Sequence, residues 1–85
     1  MSVMSGSATV SNYCKIGMGV QIMPGAIINA DGKIGDNTII NSGAIIEHDC
    51  SIGKFSHIAP GAVLAGNVSI GSGCMIGANA VIKQG

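Results

Sequence analysis

An aliphatic side chain recurs at every sixth position: Val10, Ile16, Ile22, Ile28, Ile34, Ile40, Ile46, Ile52, Ile58, Leu64, Ile70, Ile76 and Ile82, with Met4 one step earlier. With this position as i, position i+4 is always small or β-branched, from Ala8 and Cys14 through Ala44 and Cys50 to Ala80. A period of six is neither helical nor that of an ordinary hairpin strand, and it marks a hexapeptide β-helix. Along each hexad the short strand alternates, with i+4 and i pointing in and i+5 and i+1 pointing out. No helix is predicted.

A second period of 18 groups the hexads in threes. Gly recurs at 17, 35, 53 and 71, and Gly-Ala-Ile-Ile at 25–28 returns at 43–46 and, as Gly-Ala-Val-Leu, at 61–64. Each coil therefore has three sides, and the chain makes somewhat under five coils spaced about 4.8 Å apart. Position i+3 supplies the corners. It is Gly, Asn or Asp in ten of the twelve full hexads, the exceptions being Tyr13 and Phe55. Such residues tolerate the positive φ of a tight turn. The expected fold is all-β, a single parallel β-helix domain over residues 1–85, with unpaired strand edges at its end coils.

The outward position i+5 separates the three sides. The first stacks Lys15, Lys33, Ser51 and Ser69, a solvated face. The second stacks Gln21, Ile39, His57 and Met75. The third stacks Ile27, Ile45, Val63 and Val81, an apolar stripe that points away from the core. A stripe of this kind is an interface candidate, and a triangular prism suits a closed threefold oligomer.

Composition removes several function classes. Four Lys balance four acidic residues, so no electrostatic case exists for nucleic acid or an anionic membrane surface. One Tyr, one Phe and no Trp leave no base-stacking platform. No apolar run is long enough to span a bilayer and no signal peptide is visible, so the cytoplasm is the expected location. Cys14, Cys50 and Cys74 all fall at the inward i+4 position and read as small core residues rather than metal ligands, nucleophiles or disulfide partners.

The two histidines both fall at outward positions. His48, at i+2, occupies the corner after the apolar side, and Ala30 and Gly66 one coil below and above leave space beside it. Glu47 and Asp49 flank it. A neutral imidazole oriented by a carboxylate is a competent general base near neutral pH. Asp49 also occupies the turn position i+3, like Asp31 one coil earlier, so a turn-forming role stands beside the chemical one. Glu47 reads as a solvated or interface charge. His57, between Ile39 and Met75, is open to an interface role without chemistry.

Hexads such as Ile-Gly-Asp-Asn-Thr-Ile (34–39) and Ile-Gly-Ser-Gly-Cys-Met (70–75), and Glu-His-Asp (47–49) followed by Ser-His (56–57), resemble the hexapeptide-repeat acyltransferases. The likeness is strongest to the sugar O- and N-acetyltransferases of the sialic acid and bacillosamine pathways. The resemblance implies a left-handed coil. It implies His48 as general base, Asp49 as the acidic neighbour that raises its basicity, and His57 and Ala78 as acetyl-CoA contacts. It implies direct transfer to a sugar amine or hydroxyl, in a cleft between subunits. It also implies an N-terminal nucleotide-sugar domain and further C-terminal coils that these 85 residues do not hold, so the alternative is a catalytically inactive trimerisation or scaffold module. A zinc enzyme like the γ-class carbonic anhydrases needs three His ligands, which two His nine residues apart do not supply.

Overall fold

The computed structural model describes residues 3–83. Fourteen two-residue strands, all paired in parallel, lie on three sides. One side stacks β1 (Val3–Met4), β4 (Gln21–Ile22), β7 (Ile39–Ile40), β10 (His57–Ile58) and β13 (Met75–Ile76). The next stacks β2 (Thr9–Val10), β5 (Ile27–Ile28), β8 (Ile45–Ile46), β11 (Val63–Leu64) and β14 (Val81–Ile82). The last stacks β3 (Lys15–Ile16), β6 (Lys33–Ile34), β9 (Ser51–Ile52) and β12 (Ser69–Ile70). We call these the His57 side, the apolar side and the lysine side. Every pairing joins residues 18 apart, such as His57 with Ile39 and Met75, and Val63 with Ile45 and Val81. The sequence period is thus the height of one coil.

The core is the stack of i and i+4 residues. Ile22, Ile28, Ile40, Ile46, Ile58 and Leu64 are 0–1% exposed, and Val20, Ala26, Ala44 and Ala62 fill the spaces beside them. Polar residues at i+4 are satisfied inside this dry stack, as they must be. The Thr38 hydroxyl donates to the Gly53 carbonyl at 3.0 Å, and the Ser56 hydroxyl donates to the Gly71 carbonyl at 3.0 Å. Cys50 is buried and donates to the Ala65 carbonyl at 3.1 Å, so it takes the same capping role.

Two local expectations change. Cys74 has the inward register but is exposed, and Cys14 is only half-buried. Core packing needs a coil on both faces, and no described coil lies above Cys74. Phe55 takes the left-handed turn conformation despite its bulk, with φ 58°, alongside ten Gly, Asn and Asp corners at φ 57–74°. For a bulky L-residue this conformation costs roughly 1–2 kcal/mol. Tyr13 does not adopt it; its N–H instead bonds the Ser11 hydroxyl at 3.2 Å.

Candidate active site

His48 and Asp49 form the corner that links β8 of the apolar side to β9 of the lysine side. Backbone bonds pin this corner from below and above: Asp49 N–H donates to the Ala30 carbonyl and Asn67 N–H to the His48 carbonyl, both at 3.0 Å. Asp49 has φ 60°, which the turn requires, and its carboxylate Oδ2 lies 3.1 Å from His48 Nδ1. Asp49 thus forms the turn while its carboxylate faces the imidazole. A carboxylate only accepts, so Nδ1 carries the proton and Nε2 keeps its lone pair. The side chains are 57% and 50% exposed, so the pair is open at the corner. The space beside His48 is not empty on the upper face, because the imidazole lies against Gly66.

Glu47 is not a free solvated charge. It is half-buried, and Oε1 accepts from Asn29 Nδ2 at 3.1 Å on the apolar side.

His57 projects from β10, half-buried between Ile39 and Met75. Asn41 holds it. Ser42 N–H donates to Asn41 Oδ1 at 2.7 Å, which orients the amide so that Nδ2 donates to His57 Nε2 at 3.1 Å. His57 therefore presents Nδ1–H as a donor. Sequence reading missed Asn41. The signal was its outward i+1 position, 16 residues before His57, which in an 18-residue coil is a diagonal neighbour on the same side. Ala78 is exposed at the corner after β13, directly above Pro60, whose carbonyl accepts from Asn79 N–H at 3.1 Å.

The four expected site residues thus fall into two groups. His57 and Ala78 share the His57 side and the corner that closes it. His48 and Asp49 occupy the corner at the other edge of the apolar side, away from the His57 side. One chain does not bring them together. Two shallow hollows lie on the lysine side, lined by Lys15, Lys33, Gly35 and Ser51, and only Asp49 of the four expected residues reaches one of them. Neither histidine lines these hollows. Burial raises the Cys50 thiol above its ordinary pKa, which keeps it protonated and non-nucleophilic. Among the described residues no three His, Cys, Asp or Glu side chains are placed to hold a metal ion. No helix there is long and apolar enough to cross a membrane.

The sequence matches the family described as bacterial transferase hexapeptide (six repeats) over residues 31–66 and 49–84. This chain belongs to the bacterial hexapeptide transferase family. Membership agrees with the repeat and with a left-handed parallel β-helix. No match was found among curated protein sequences. Among solved structures, the hexapeptide transferase chain is similar to a variant of perosamine N-acetyltransferase from Caulobacter crescentus, in complex with CoA and GDP-perosamine. The two share 38% identity over 99% of this chain and 46% of that one, with a TM-score of 0.79. It is also similar to the acetyltransferase domain of PglB from Neisseria gonorrhoeae, at 32% identity over 96% of this chain and 49% of that one, with a TM-score of 0.84. A structure of that domain with acetyl coenzyme A gives 29% identity over 99% and 52%, with a TM-score of 0.81. This chain spans about half the length of the structures it matches.

Proposed function

We propose that this chain is the β-helix of an acetyl-CoA-dependent acetyltransferase that modifies a sugar or nucleotide-sugar amine or hydroxyl, with His48 as general base. The observation that carries this reading is the His48–Asp49 pair at an outward corner. Its Nδ1 is fixed on the carboxylate and its Nε2 is left basic, in a chain of a family whose solved relatives bind CoA.

In the reaction, His48 Nε2 takes the proton from the acceptor as its nitrogen or oxygen attacks the thioester carbonyl. The new C–N or C–O bond forms, the C–S bond breaks, and the departing CoA sulfur takes up a proton. No enzyme nucleophile is required. Asp49 stabilises the imidazolium that forms in passing. His57, turned by Asn41 so that Nδ1–H points outward, offers a donor to acetyl-CoA, and Ala78 lines the same ligand without bulk.

The split of the site over two corners supports assembly. Three chains with the apolar side of Ile27, Ile45, Val63 and Val81 turned to a threefold axis bring the corner after that side on one chain against the corner before it on the next. That juxtaposition turns the His48–Asp49 corner of one chain toward the corner column of the next that carries Ser42, Pro60 and Ala78, with His57 on the side beyond that column. We place the reaction in the cytoplasm.

The test is a thermal melt of the purified oligomer with millimolar acetyl-CoA. A ligand that binds only the folded state raises its Tm, so a rise is expected, and His57→Ala reduces it. No rise in a correctly assembled oligomer favours the inactive scaffold reading.

A further inference from the structure

Gly66 stands one coil above His48, and its backbone gives no reason for a glycine. We infer that Gly66 is a positioning residue, the seat of the His48 imidazole, kept free of a side chain so that the ring lies in place against it. This rests on His48 as the base proposed above.

Three observations carry the inference. First, position i+2 accepts side chains of every kind: Asn12, Met18, Pro24, Asp36, Lys54 and Ser72 all occupy it. Second, the left-handed residue at this corner is Asn67, with φ 62°, while Gly66 lies outside that region, so an L-residue fits its backbone. Third, a Cβ built on Gly66 meets the imidazole first, at 2.6 Å from Nε2, 2.7 Å from Cε1 and 3.2 Å from Cδ2 of His48. The glycines of the 17–35–53 column differ in kind. A Cβ on Gly35 meets Lys54 N at 2.6 Å, and one on Gly53 meets Ser72 N at 2.5 Å, so coil stacking itself requires them.

The consequence of a side chain at 66 follows from what holds the ring. The His48 side chain is 57% exposed, and its polar anchor is the 3.1 Å contact from Nδ1 to Asp49. It yields before the twice-pinned backbone does. The imidazole is rigid, so displacing the Nε2–Cε1 edge also swings Nδ1 away from the carboxylate. Gly66 and Asp49 thus hold one ring at two places: the carboxylate fixes Nδ1, and the bare Cα supports the Nε2–Cε1 bond. Misplacing a catalytic group by about 1 Å costs about 10²-fold in rate.

The experiment is a double-mutant cycle on the full 85-residue chain with Gly66→Ala and His48→Ala, read by thermal melting and by NMR of the His48 ring. In the His48→Ala background, Gly66→Ala is expected to raise Tm by roughly 2–8 °C, since alanine fits the backbone and restricts the unfolded chain. With His48 present the gain shrinks or reverses, and the His48 ring resonances move. In an active enzyme carrying this β-helix, Gly66→Ala lowers kcat by about 10²-fold with KM unchanged. The same Tm change in both backgrounds, with unmoved His48 resonances, overturns the seat whatever the turnover. Coupling between the two sites combined with parental turnover of His48→Ala upholds the seat and refutes the base.

Discussion

Ile45→Lys separates assembly from folding, because the fold itself shows that the change is tolerated. Lys15 and Lys33 occupy the same outward i+5 position on another side, paired in register as Ile27 and Ile45 are. A lysine at 45 therefore keeps the coil. What it changes is the apolar side. Ile45 is half-buried by its own stack, between Ile27 and Val63. Fully burying such a side chain is worth about 1.5–3 kcal/mol, so the half left to a partner contributes about 1 kcal/mol per chain. Three chains lose about 3 kcal/mol, or about 10²-fold in the assembly constant, at 1.4 kcal/mol per tenfold. Three ammonium groups then converge on the axis, and desolvating charges without partners adds several kcal/mol more. The expected result at micromolar concentration is a parent trimer and a monomeric variant by sedimentation, with circular dichroism unchanged in shape. A variant that still sediments as the parent trimer refutes the placement of this side at the axis. A monomeric parent removes the reason given for the stripe.

His48→Ala should lower acetyl transfer by about 10²–10⁴-fold with melt and oligomer intact, whereas Asp49→Asn should cost only about fivefold, since an exposed pair is worth about 1 kcal/mol or less and asparagine keeps both an acceptor and a tolerance for the φ of 60°; steady-state kinetics of the active enzyme check both, and equal losses would show that Asp49 does more than orient the ring. Ile58→Ala should cost about 2–5 kcal/mol in urea melts, and Ile76→Ala clearly less, because Ile58 packs between Ile40 and Ile76 while Ile76 is half-buried with Ile58 as its one registered partner among the described residues; equal losses would contradict the stacking.

The sequence carried the coil because the physics of stacking acts on each hexad in the same way. A residue at i meets its own kind 18 residues away, so Ile40, Ile58 and Ile76 repeat the same solution. Chemistry was legible where it is local: Asp49 is next to His48 in the chain, and the 3.1 Å contact needs only one turn. It was illegible where it crosses coils. The Asn41–His57 bond links residues 16 apart and shows as no motif along the chain, and the 18-residue period set Gly66 over His48 as open space rather than as the contact it is. Phe55 was illegible for another reason. Its neighbours in the lattice of corners impose the left-handed turn, with Phe55 N–H donating to the Asp36 carbonyl at 2.9 Å, and that bond overrides the local preference of an aromatic residue.

This division has a physical source. In a β-helix, i and i+4 are committed to the core, and i+3 is committed to the turn. Positions i+1, i+2 and i+5 are free to hold chemistry, and a corner Asp at i+3, such as Asp49, can serve the turn and still offer its carboxylate. His48 stands at i+2, His57 at i+5 and Asn41 at i+1, so the polar machinery fills the positions the fold leaves open. Those positions face outward on a convex prism, and a convex surface cannot enclose a reactant. The hollows on the lysine side are correspondingly shallow and hold neither histidine. Excluding water from a thioester and fixing its acceptor therefore requires a second surface. In the trimer proposed above, the apolar side, flanked by the His48 corner at one edge and the Ala78 corner at the other, is where another copy of this chain would supply one, closing the site by repeating the whole prism about an axis.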